Sequence, residues 1–179
     1  MPVIDAMNQP LTLGQVIGMV LAESFPDDPM VAAFGLCGEF ADICQTRAEE
    51  LGLEVDFESV YMTLAESDCA FSPPPGVTLD QLHGWGVIKC LSHVWLVHQG
   101  RHYDAVTPEG VDNPFELRLF RQVCIEVMRQ RQPEALEVLV ADNPWWAESS
   151  HLTDEFLVWH SSQFAAFDQE RQARTLRLG

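Results

Sequence analysis

Two stretches near the start of the chain repeat apolar residues every three to four positions. Leu13, Val16, Ile17, Val20 and Leu21 form the first face, and Thr12 with Gln15 resembles a capping box. Together they predict a helix from about Leu13 to Ser24. Phe25-Pro26 and Asp27-Asp28-Pro29 end it. Phe40, Ala41, Ile43, Cys44, Ala48 and Leu51 form the second face, a helix with Cys37 at its mouth and Gly52 to terminate it. The period then changes. Glu54 to Val60 alternates polar and apolar residues, the mark of a half-buried strand with an acidic outer face, and Tyr61 to Ala65 can extend it. Ser72-Pro73-Pro74-Pro75-Gly76 is a loop, and Thr78 to Leu82 has the makings of one helical turn.

Trp85 to Leu91 reads as a strand. Ser92 to His98, rich in β-branched and aromatic residues, reads as another. Gln99-Gly100 is a hairpin signal, with Arg101 to Val106 as the return strand. Antiparallel pairing about that turn sets Trp95 opposite Asp104 and His93 opposite Val106. His93 and Asp104 then become diagonal neighbours on one face. Thr107 to Pro114 reads as a loop, Phe115 to Leu119 as ambiguous, and Phe120 to Gln130 as a helix. Pro133 opens a further helix through Val140, and Asp142-Asn143-Pro144 breaks it. Thr153 caps a last helix, roughly Asp154 to Arg174, with Phe156, Leu157, His160, Phe164 and Phe167 on its apolar face. These elements make an α+β chain, one domain over 1–179, with a core over about 11–112 and a helical extension over about 113–179.

Composition narrows the setting. Hydrophobic residues make up 47% of the 179, enough for a folded core. No apolar run approaches the roughly 18 residues of a membrane span, and Met1 to Asp5 lacks the features of a secretory signal. Five cysteines at irregular spacing read as reduced thiols of a cytoplasmic protein. Ten Lys and Arg against 27 Asp and Glu give a formal net charge of −17, which argues against nucleic acid and anionic membranes as partners.

The candidate chemistry starts at Gly35-Leu36-Cys37-Gly38-Glu39-Phe40-Ala41. A thiol at a helix N-terminus feels the positive end of the helix dipole, which favours the nucleophilic thiolate. Gly35 and Gly38 keep bulk away from the sulfur. His93 is placed to take the thiol proton or to stand beside the thiolate as an imidazolium. Asp104 is placed to fix the imidazole tautomer. The Cys37 backbone N–H is a ready oxyanion donor. Taken singly, each residue also has an ordinary structural role: Cys37 as small core side chain, His93 as a satisfied sheet histidine, Asp104 as a turn carboxylate, Trp95 as core.

Gly35-x-Cys37-x-x-x-Ala41, His93-x-Trp95 and Tyr103-Asp104 resemble the transglutaminase-like branch of the papain-like cysteine proteases, over about Met30 to Val106. The resemblance implies an antiparallel β-sheet packed against an N-terminal catalytic helix, with the nucleophilic cysteine on that helix's N-terminus, followed in chain order by histidine and aspartate on successive strands. It implies thiol acyl transfer on a protein or peptide amide, by hydrolysis, deamidation or crosslinking. Cys37, His93 and Asp104 would be catalytic, and Trp95, Gly35 and Gly38 would line the substrate. No cofactor or metal enters such chemistry.

Other readings compete. Cys90-x-x-His93 and His98-x-x-x-His102 have zinc-like spacing, but alternation along the strands points the members of each pair apart. Trp145-Trp146 reads as a pair buried against the last helix, or else as an exposed anchor. The rival function is a non-catalytic acidic binding or inhibitor protein that engages a basic protein surface.

Overall fold

The computed structural model describes residues 11–27, 32–33, 36–53, 58–62, 72–88, 91 and 93–147. The chain is α+β. Two helices open it, α1 (Leu13–Ser24) and α2 (Cys37–Glu50). The sheet is antiparallel with strand order β1 (Glu58–Met62), β2 (His93–His98), β3 (Arg101–Asp104) and β4 (Thr107–Val111). Between β1 and β2 lies the short helix α3 (Leu79–Gly84). After β4, a 3₁₀ turn (Pro114–Glu116) leads to α4 (Arg118–Arg131), α5 (Pro133–Asp142) and a last 3₁₀ turn (Pro144–Trp146).

The helix ends follow local chemistry. Thr12 and Gln15 exchange hydrogen bonds in a full capping box at α1, and Thr78 with Gln81 does the same at α3. At the end of α2, Gly52 adopts φ 66°. Its N–H reaches Glu49 O while the Leu53 N–H reaches Ala48 O, the paired bonds of a Schellman stop.

The pleat of β2 divides the core. Val94 and Leu96 join Val16, Ile17, Phe40, Ala41 and Cys44 under α1 and α2. Trp95 faces the other way, into a cluster with Phe115, Phe120, Met128 and Trp146. α2 packs on β2 and β1, while α1 packs on α2 and β4. The sheet therefore carries helices on both faces, and β2 runs through the middle of the packing.

The hairpin register is the expected one: Leu96 pairs with Tyr103, Val97 with His102, and His98 with Arg101. Two expectations fail. Trp85 to Leu91 is not a strand over its described residues. Gly86 takes φ 79°, and the Gly86 and Val87 N–H groups bond back to His83 O and Leu82 O, so this stretch caps α3 instead. Thr107–Val111 is a strand, not a loop, and the return strand stops at Asp104. Pro108 is tolerated because β4 lies at the sheet edge. Gly110 is required at φ 69°, where a Cβ would sit 2.3 Å from the Tyr103 ring.

β1 runs from Glu58 to Met62, toward the later part of the strand expected from Glu54 to Ala65. Trp145 and Trp146 are buried: the Trp146 indole N–H donates to Pro75 O at 2.7 Å, and the Trp145 indole N–H donates to Glu116 Oε1 at 2.9 Å. The exposed-anchor alternative is therefore set aside. The helix expected at 154–174 lies outside the described residues.

Candidate active site

Cys37 is the first residue of α2, and no side chain caps that helix end. The site is therefore built from backbone N–H groups and the thiol itself. The sulfur is half-buried and accepts from the backbone N–H of Gly38 and of Val94. The second contact ties the helix mouth to the first residues of β2.

His93 opens β2, and its side chain is 3% exposed. Its Nε2 donates to Oδ2 of Asp104 at 3.2 Å. A carboxylate only accepts, so the ring must keep a proton on Nε2. That leaves Nδ1 for the thiol, and the Cys37 side chain is hydrogen bonded to this imidazole. Asp104 is held in turn. Its Oδ1 accepts the Val106 N–H at 3.0 Å, an Asx-type turn that starts the β3–β4 hairpin. One carboxylate oxygen thus shapes the backbone while the other orients the ring. Residues expected to converge do converge: Cys37, His93 and Asp104 form one connected chain of hydrogen bonds.

The electrostatics follow from burial against partners. Burial pushes the Cys37 thiol up, but the His93 hydrogen bond, the His93 charge and the Val94 and Gly38 N–H groups outweigh it, so the net direction is down. For His93, burial lowers the value most. The hydrogen bonds to Asp104 and Cys37 and the charges of both reverse it, raising the ring to about 9. Both shifts favour a thiolate beside an imidazolium. Cys44, one face along the same helix, shows the contrast: burial alone pushes it up to about 12. Shared helix and shared residue type give opposite outcomes, decided by the imidazole together with the N–H groups of Val94 and Gly38.

The expected substrate contacts fare differently. Gly38 stands beside the sulfur and gives it an N–H. Gly35 lies outside the described residues. Trp95 is not available to a substrate: it is 1% exposed, and its indole N–H donates to His102 Nδ1 at 3.0 Å. The register explains this, because residue 95 shares the inward face with residue 102 next to its cross-strand position. Trp95 supports the site from beneath. His98 and His102 lie on opposite faces, as alternation requires, and no group of three metal-ligating side chains forms among the described residues.

Three features of the site were invisible in the sequence. The Val94 and Val106 N–H groups are backbone and carry no residue signature. Phe120, from α4, meets the His93 ring at 5.7 Å between centroids with a 74° interplanar angle. The sequence reading placed it only at the start of a helix over Phe120 to Gln130. Comparison with known protein families, curated proteins and solved structures finds no match for this chain, so the reading of the site stands on its own geometry.

Proposed function

We propose that this chain is a cysteine-dependent amide hydrolase or acyltransferase built on a transglutaminase-like variant of the papain-like arrangement. The observation that carries the reading is the single imidazole bonded on one side to a buried carboxylate at 3.2 Å and on the other to a half-buried helix-mouth thiol. In the reaction, the Cys37 thiolate attacks the carbonyl carbon of the substrate amide. The oxyanion that forms lies by the N-terminus of α2, where the Cys37 N–H is the donor at hand. His93 then gives its Nδ1 proton to the departing amine, leaving a thioester on Cys37. Water or an incoming amine gives a proton back to Nδ1 as it attacks the thioester, and the thiolate leaves. Through both halves Asp104 holds the Nε2 proton and the ring orientation. Hydrolysis, deamidation and crosslinking differ only in the second nucleophile or the leaving group. The substrate is a protein or peptide.

The test uses p-nitrophenyl acetate as acyl donor. We expect a burst of one nitrophenolate per chain, an acetylated Cys37 peptide by mass spectrometry, and neither in Cys37→Ala. Acetyl or iodoacetamide label spread evenly over the five cysteines would sink the proposal. The rival, an acidic binding protein, draws on the net charge of −17 and predicts no burst.

A further inference from the structure

The geometry points to Phe120, on α4, as a positioning residue for His93, which makes the helical region after the sheet part of the active site's machinery. This inference rests on the thiol chemistry proposed above. Phe120 is 1% exposed and stands edge-on to two rings of β2 at once: His93 at 5.7 Å and 74°, and Trp95 at 5.2 Å and 79°. His93 has hydrogen bonds at both nitrogens, but these fix only the ends of the ring. Rotation about the line through them is limited by what packs against the ring faces and carbon edge. Among the described residues, Phe120 is an aromatic ring in that role.

α4 is registered on the site by more than packing. Its N-cap residue, Leu117, offers no side-chain cap, and the Arg118 N–H bonds instead to Thr107 Oγ1 at 3.2 Å. Thr107 is buried and pairs across the β3–β4 hairpin with Asp104. A closed circuit results: His93 to Asp104, across the hairpin to Thr107, into the first turn of α4, and back through Phe120 to His93. The carboxylate and the aromatic wedge are therefore set by the same hairpin. A rigid support of this kind keeps a reacting imidazole within the small angular range that proton transfer needs.

The experiment is the pH dependence of Cys37 alkylation by iodoacetamide, read peptide by peptide on the full chain. Phe120→Leu keeps the apolar character and removes the ring. We expect its alkylation midpoint to move up by about half a pH unit or more, roughly a threefold loss of thiolate on the acid side. Phe120→Tyr keeps the ring and should keep the native midpoint. Leu136→Ala is the control, a buried change in the same apolar cluster that does not touch His93 in the contacts above. If Leu136→Ala lowers the melting temperature as much as Phe120→Leu and also moves the midpoint as much, Phe120 is merely structural and the inference is overturned. It is also overturned if Phe120→Leu leaves the midpoint unchanged while His93→Ala raises it; in that case the thiolate–imidazolium reading survives. Should His93→Ala fail to move the midpoint, both fall together.

Discussion

Burial by itself would hold His93 neutral, and Asp104 with Cys37 reverses that. The sign of the pH response follows. The ring's folded value, about 9, lies above its ordinary 6.5, so its charged-state contribution to stability is complete below 6.5 and is lost as pH rises through about 9. Cys37 runs the other way: its folded value lies below 9.0, so its contribution is present above 9.0 and lost as pH falls through the lowered value. The thiolate–imidazolium pair occupies the window between the two. Acylation of Cys37 by an amide should rise through the lowered thiol value and fall through about pH 9, where His93 no longer has a proton for the departing amine; a pH profile of amine release under single-turnover conditions checks both limbs. Asp104→Asn tests the orienter. The amide oxygen still accepts the Val106 N–H, so the turn survives, but the amide nitrogen presents a donor to Nε2. The neutral ring then carries its proton on Nδ1, facing the sulfur, and cannot accept the thiol proton. We expect acylation to slow by about 10²–10⁴-fold with little change in circular dichroism.

At the scale of elements, two glycines of α1 separate propensity from packing. Gly18 has open space around a would-be Cβ, so Gly18→Ala should stabilise by about 0.5–1 kcal/mol through helix propensity alone. At Gly14 the same Cβ would stand 2.4 Å from the Pro108 carbonyl oxygen, because α1 lies directly on β4. Gly14→Ala should therefore destabilise despite its better propensity, by roughly 1–3 kcal/mol. Urea denaturation of both variants gives the two signs, and equal signs would contradict the α1–β4 contact. The same element level explains which sequence expectations failed. Trp85 to Leu91 has strand-like composition, yet Gly86 at positive φ closes α3 there. Thr107 to Val111 has the Pro and Gly of a loop, yet an edge strand accepts the first, and Tyr103 needs the second.

For the molecule as a whole, charge sets the tone. Arg47, Arg101, Arg118 and Arg129 each lie beside a carboxylate, Glu23 and Glu50, Asp112, Glu109, and Glu126 respectively. These cations are neutralised where they stand, and the net −17 remains as self-repulsion. The melting temperature should climb as sodium chloride is raised from about 0.01 to 0.15 M, over which the screening length falls from roughly 30 to 8 Å. A falling or flat curve would show that the excess charge does not strain the fold. The sequence by itself determined whatever depends on neighbours along the chain. It determined the spans of α1 and α2, their stops, and the β2–β3 register that puts His93 and Asp104 on one face, since turn chemistry and side-chain period act within a few residues. Tertiary structure alone decided what depends on how those pieces dock. The mouth of α2 abuts the start of β2, Trp95 turns into the core and away from any substrate, and α4 brings Phe120 to the imidazole. Apolar periodicity says that a face is buried, but not against what, because burial energy is blind to the identity of the surface that displaces water.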